Sequence, residues 1–218
     1  GAAQVVVDLG LHHLGLAPHD VRQRPRLVPR LGLAARDHTV AVLGELERTL
    51  GAISPDAAEK LVDRIVGSKK ILVAGAGRSG LAVRGFAMRL MHMGFDAYVV
   101  GETVTPHFET TDLLLIGSGS GETGSLVQMA KKAREIGGNI ALVTIFPESS
   151  IGQLADVTIR IPAPTPKVSA ESGWSSIQPM GTLFEQSLTI FLDMTILRLM
   201  QRATQDSAGM FRRHANLE

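Results

Sequence analysis

The chain's 218 residues predict an α/β protein: a three-layer, doubly wound, mainly parallel five-stranded sheet with N-terminal helices ahead of it and a long C-terminal helix behind. Three observations lead there. Short, almost wholly apolar runs recur at 70–76, 113–116 and 139–146, as strands covered on both faces require. Stretches of helical periodicity separate them, the alternation that builds a parallel sheet. Polar glycine turns follow the first two runs, and the carboxyl ends of strands are where such sheets bind ligands.

Residues 1–37 carry no lasting periodicity. Val5–Val7 reads as a short strand at most, and Pro18, Pro25 and Pro29 stand among Arg22, Arg24, Arg26 and Arg30. The expectation is an irregular N-terminal extension, followed by one domain over 38–218. His12, His13 and His19 lack the carboxylate framework of a metal site. From His38, Val40, Leu43, Leu46 and Leu50 outline an amphipathic helix ending at Gly51. Ser54-Pro55-Asp56 opens a second, with a cap, a proline at the first helical position and an acid in the first turn.

The first strong strand, Lys70–Ala76, leads through Gly77-Arg78-Ser79-Gly80 into a helix reaching Met93. A short strand at Ala97–Val100, the central strand, a helix ending at Gly137-Gly138 and strands over Asn139–Phe146 and Val157–Ile161 complete the sheet. Pro162–Ile177 is a long loop containing Trp174, read as packing down rather than stacking on ligand. From Pro179 to about Arg202 a helix is apolar nearly all round, which points to burial on several sides and a subunit interface.

Composition narrows the function. With 22 basic and 21 acidic side chains the net charge is +1, so bulk electrostatics gives no argument for nucleic acid. The absence of cysteine excludes disulfides and thiolate metal sites. No apolar run approaches the roughly 20 residues of a membrane span, and the start of the chain lacks a signal-peptide pattern. The expected location is the cytoplasm.

The chemistry centres on Asp112–Ser125. After the apolar run 113–116, Gly117, Gly119 and Gly121 alternate with Ser118 and Ser120, followed by Thr123 and Ser125 as a helix opens. A strand, a hydroxyl-rich turn and a helix N-terminus form an anion cradle, because unpaired amides, the helix dipole and hydroxyl groups all favour a phosphate. No Gly-Lys-Ser/Thr follows, so this is not a nucleotide P-loop. The spacing Gly75-x-Gly77-x-x-Gly80 also admits a dinucleotide reading with Glu102 as its acid. The preferred reading gives Arg78 and Ser79 to a phosphosugar instead.

Ser-Gly-Ser-Gly-Glu-Thr (118–123) resembles the signature of sugar isomerase (SIS) domains. With Val73–Gly80, Met88–Gly94, Leu183–Gln186 and the ending Arg213–Glu218, the chain from Val40 onward is similar to the 6-phospho-3-hexuloisomerase family. That resemblance implies an SIS-like fold and interconversion of D-arabino-hex-3-ulose 6-phosphate with fructose 6-phosphate, in the ribulose monophosphate pathway of formaldehyde fixation. It implies no metal and no organic cofactor, assembly as a dimer or tetramer with sites near subunit interfaces, and hexulose-6-phosphate synthase as a partner. Other readings are a different phosphosugar isomerase, such as arabinose 5-phosphate isomerase, or a non-catalytic phosphosugar sensor.

Moving a carbonyl between C2 and C3 needs a phosphate anchor, a base and stabilisation of a cis-enediolate. Gly77, Arg78, Ser79, Ser118, Ser120 and Thr123 are the expected substrate-binding residues, Arg78 also serving the enediolate. Glu185, at the N-terminal end of an apolar helix, is the expected base, and Glu122 is expected to support its loop. His92 is read as structural. Phe211 and Leu217 are expected to dock the tail so that His214 reaches an active site, that of a neighbouring subunit.

Overall fold

A computed structural model describes residues 35–165 and 175–217. The expectations for residues 1–34, for Trp174 and for Glu218 lie outside that range.

Lys70 and Asp112 put the centre of the sheet in register. Asp112 is fully buried, and its carboxylate accepts from the amides of Lys70 at 3.2 Å and Glu109 at 2.8 Å and pairs with Lys70 Nζ at 3.2 Å. A buried charge is tolerated only when paired and hydrogen-bonded in this way. The two residues immediately precede β1 (Ile71–Gly75) and β3 (Leu113–Gly117), which align Ile71 with Leu113 and Gly75 with Gly117. Both strands therefore end at the same level, bringing the two glycine turns side by side.

β2 (Ala97–Val99), β4 (Asn139–Thr144) and β5 (Val157–Arg160) complete a wholly parallel sheet of order β2-β1-β3-β4-β5. Alternate residues along the strands feed two cores, as the two-residue repeat of a strand dictates. Val73, Leu115 and Val143 pack with Phe86 and Leu188 on one face. Ala74, Ile116 and Leu142 pack with Leu126 and Ala130 on the other. Three layers result, with two independent reasons to exclude water.

On the first face lie α2 (Pro55–Gly67), α3 (Gly77–Met93) and α5 (Thr182–Ala203), with α1 (Ala35–Gly51) against α5; α4 (Gly124–Ile136) covers the second. The helix expected from His38 begins at Ala35. The C-terminal stretch, read as a polar tail, holds a short helix, α6 (Ser207–Phe211), capped by Asp206, whose side chain accepts from Gly209 N at 2.7 Å. α5 buries Leu188, Phe191 and Leu192 inward, while Met194 and Leu197 stay 49% and 59% exposed. Its outer apolar side thus remains uncovered within one chain. Among the described residues no helix is long and apolar enough to cross a membrane.

Candidate active site

α3 and α4 begin at the carboxyl ends of β1 and β3, and both begin uncapped. Ala76 precedes α3 and has no side chain that could cap it; Thr123 precedes α4 but makes no side-chain cap bond; neither helix has an acid in its first turn. α2 and α6, by contrast, are capped by side chains, Ser54 accepting from Ala57 N at 3.3 Å and Asp206 from Gly209 N at 2.7 Å. Two helix N-termini with free first-turn amides therefore converge on one place, which suits an anion.

A cavity of about 360 Å³ occupies that place. Gly77, Ser79, Ser118, Ser120 and Thr123 line it, and so does Glu185 from the first turn of α5. The hydroxyls are oriented by their own turn. Ser118 Oγ accepts from Gly121 N at 3.1 Å and Ser120 Oγ from Glu122 N at 3.2 Å. With a lone pair engaged this way, each O–H is left to donate to a phosphate oxygen. Two glycines take the left-handed conformation that such turns require, Gly77 at φ 55° and Gly121 at φ 63°. Ser125, the fourth hydroxyl of the run, is exposed and does not line the cavity.

Glu122 supports the cradle from outside. Its Oε1 accepts from Ser150 N at 2.7 Å, and that backbone hydrogen bond holds its carboxyl below the ordinary carboxylate range. Glu185 has a different setting. Arg78 Nε lies 3.0 Å from Glu185 Oε2, yet the geometry is not that of a hydrogen bond, and this buried oxygen accepts from no donor. Arg78 NH1 donates to Thr182 Oγ1 at 3.3 Å, which in turn donates to the Pro179 carbonyl at 2.7 Å. Arg78 thus lines a neighbouring groove of about 460 Å³ rather than the cradle cavity, and Glu185 borders both.

The glycines that suggested a dinucleotide turn serve packing. A Cβ on Gly75 would stand 2.9 Å from Gly80 Cα, and one on Gly80 would stand 2.7 Å from the Gly75 carbonyl oxygen. The glycine spacing lets β1 and α3 touch backbone to backbone. Glu102 is engaged by Arg84 at 2.7 Å.

His214 lies in a third cavity, of about 430 Å³, with His92, Arg89 and Phe211. Its ring stacks on those of His92 and Phe211 at centroid distances of 5.4 and 5.8 Å. Burial first, then the Arg89 and His214 charges, hold the His92 imidazole below its ordinary pKa. Within one chain neither expected anchor is buried: Phe211 is 75% exposed and Leu217 fully exposed. Met210 packs against the core instead, and the Arg213 guanidinium sits over Gly94, its NH1 donating to the His92 carbonyl at 3.5 Å. A cation at the C-terminus of α3 is favoured by the helix dipole, so within one chain the tail is held by this charge together with the packing of Met210.

Sequence reasoning missed Thr165, Met180, Gly181 and Phe184, which also line the cradle cavity. Phe184 read as core, and nothing in the sequence marks Thr165. Met180 sits at φ 58°, a strained conformation for a side chain of its size that only the coordinates reveal.

A doubly wound parallel sheet with an anion cradle at its carboxyl edge defines an α/β domain that binds a phosphate-bearing ligand. Residues 64–190 match the SIS domain family. A 3-hexulose-6-phosphate isomerase of Bacillus subtilis is 50% identical over 182 residues, 84% of this chain and 98% of its own length. The enzyme of that name from Mycobacterium gastri is 38% identical over 177 residues, covering 81% and 88% respectively. A Methanococcus jannaschii protein, whose crystal structure infers a molecular function of 3-hexulose-6-phosphate isomerase, superposes with a TM-score of 0.70 at 38% identity, over 83% of this chain and 97% of that one. The chain belongs to the SIS domain family, among its 3-hexulose-6-phosphate isomerase relatives, and is an isomerase.

Proposed function

We propose that the chain interconverts D-arabino-hex-3-ulose 6-phosphate and fructose 6-phosphate through a cis-enediolate. The observation that carries this reading is that the hydroxyl and amide cradle and Glu185, one of whose carboxylate oxygens accepts no hydrogen bond, border one cavity. Gly77, Ser79, Ser118, Ser120 and Thr123 hold the phosphate with backbone and hydroxyl donors. Glu185 removes the proton from C2, beside the C3 carbonyl, and returns it to C3, while the proton of the C2 hydroxyl passes to the C3 oxygen through the imidazole of a second catalytic group. Arg78, with its charge beside Glu185, stabilises the oxyanion that forms as the proton leaves. No step in this scheme calls for a metal or an organic cofactor.

The second catalytic group is His214 of the partner subunit. About 22 Å of helix separate Glu185 from Met200, which lines the His214 cavity, so one chain does not join them. The two grooves beside α5 share Arg89 and Asp193 and run end to end from Arg78 to His214. Leu81, Met88, Met194 and Leu197 leave exposed apolar surface along α3 and α5. Two copies packed antiparallel over that surface would carry each tail to the other chain's Glu185. The same reading gives a dimer, or a tetramer built from dimers, in the cytoplasm. It makes hexulose-6-phosphate synthase, by adding formaldehyde to a pentulose phosphate, the supplier of the substrate.

The test is a coupled assay for fructose 6-phosphate formed from the 3-hexulose 6-phosphate, with arabinose 5-phosphate as the control. Turnover of arabinose 5-phosphate in place of the hexulose phosphate would overturn the assignment.

A further inference from the structure

α1 contributes no residue to the cradle cavity, yet it holds one of the cavity's walls. Glu45 is only 9% exposed, and both of its carboxylate oxygens are engaged. Oε2 accepts from Ser176 Oγ at 2.7 Å and Gln178 Nε2 at 3.0 Å, and Oε1 accepts from Ile177 N at 2.7 Å. One helical turn further, Arg48 NH2 donates to the Ser175 carbonyl at 3.4 Å. Ser176 Oγ also accepts from Gln178 N at 3.0 Å, which closes the clamp on itself. These donors hold the Glu45 carboxyl below its usual range despite the opposing effect of burial, which is the largest.

The clamped segment leads straight into the site. Pro179 accepts from Thr182, Thr182 accepts from Arg78, and Arg78 faces Glu185. Between them, Met180 and Gly181 line the cradle cavity, with Met180 strained at φ 58°. A strained residue persists where its surroundings over-determine it, and here the clamp fixes the chain two residues upstream. The phosphate cradle itself hangs from β1 and β3, and its Ser118 and Ser120 hydroxyls are bonded within their own turn rather than to α1.

We propose that Glu45 is a positioning residue for the sugar side of the site, holding residues 175–178 so that Met180 and Gly181 form a wall against which the substrate's carbon chain is aligned. This rests on the phosphosugar reading above. It separates two parts of ligand recognition, phosphate on the sheet edge and sugar on the wall tied to α1.

The test compares fructose 6-phosphate with inorganic phosphate by calorimetry in Glu45→Ala, Glu45→Gln and the double variant Ser176→Ala/Gln178→Ala, with hydrogen exchange at the Ile177 amide read in parallel. The double variant opens the clamp without touching α1, should Glu45→Ala fold poorly. Loss of hydrogen bonds to a charged acceptor predicts about a tenfold weaker affinity for fructose 6-phosphate. Inorganic phosphate should bind unchanged, exchange at Ile177 should quicken, and Glu45→Gln, which keeps an acceptor for Ile177 N, should restore most of the sugar affinity. Equal weakening of both ligands, or undiminished sugar affinity in both clamp variants, would overturn the proposal. If the unaltered protein bound phosphate but not fructose 6-phosphate, the phosphosugar reading would fall, whereas quickened exchange with full sugar affinity would remove only the role of Glu45.

Discussion

Arg78 Nε and Glu185 Oε2 stand 3.0 Å apart at the mouth of the cradle, close enough to interact as charges but without a hydrogen bond between them. The pair joins α3 to α5 across the site. A carboxylate oxygen that faces a charge yet accepts no hydrogen bond keeps lone-pair capacity for a proton, which a fully hydrogen-bonded oxygen does not.

Glu185→Gln should therefore fold and bind fructose 6-phosphate as before while kcat falls by about 10²–10⁴-fold, the usual contribution of a general base. Exchange of the substrate C2 or C3 proton with solvent deuterium is the direct measure. Wild-type exchange in the variant would move the role of base elsewhere.

Ser120→Ala removes a hydroxyl whose oxygen is already fixed by Glu122 N at 3.2 Å and whose proton is free for the anion. One hydrogen bond to a charged group is worth about 1.5–3 kcal/mol, so affinity for fructose 6-phosphate should drop about tenfold or more. Calorimetry that finds no change would count against the cradle.

Mixing His214→Ala chains with Glu185→Gln chains should restore part of the activity, because some sites would then combine an intact Glu185 with an intact histidine from the other subunit. No recovery in mixtures shown to exchange subunits rules out the shared site. A fully active His214→Ala enzyme would take the histidine out of the chemistry.

Gly80→Ala should destabilise the fold by about 1–3 kcal/mol, the usual cost of forcing extra volume into a packed contact. The added Cβ would meet the Gly75 carbonyl oxygen at 2.7 Å, and backbone cannot swing aside as a flexible side chain would. Urea unfolding of the variant measures it, and an unchanged midpoint would contradict the close approach.

Acid stability should depend on Glu109. The hydrogen bond from Lys70, with His107 and Lys69 adding to it, lowers the Glu109 carboxyl from 4.5 to about 2. Because the folded value is depressed, its stabilisation is present above about pH 4.5 and is lost as pH falls through about 2. Glu109→Gln should flatten the fall of Tm over that window, and an identical pH profile in the variant would show that the pair contributes nothing. Glu109 is 40% exposed on its side chain, so salt should weaken the effect.

The sequence by itself determined the layers and the cradle. The apolar runs at 113–116 and 139–146 have no polar face, which only a doubly covered parallel strand satisfies, and hydroxyls between glycines at a strand's end leave an anion few other places to bind. Ser118, Ser120 and Thr123 were legible because their neighbours in the chain are also their neighbours in space.

Tertiary structure decided whatever depended on residues far apart in the chain. The Gly75 and Gly80 spacing fits a dinucleotide turn as well as a phosphosugar turn, since both bring a helix onto its strand backbone to backbone, and the ion pair of Glu102 with Arg84 is visible only in the folded chain. Phe211 and Leu217 read as anchors from their apolar character, but within one chain they are exposed, and the tail is held by Met210 on the core and by Arg213 at the end of α3, a contact spanning 121 residues to the His92 carbonyl. In the sequence, Glu45 lies off the apolar stripe of Leu43, Leu46 and Leu50 that marks the helix's inner face. It became a clamp because folding brings residues 176–178 to its carboxylate, and periodicity within a helix carries no information about what arrives from 131 residues away.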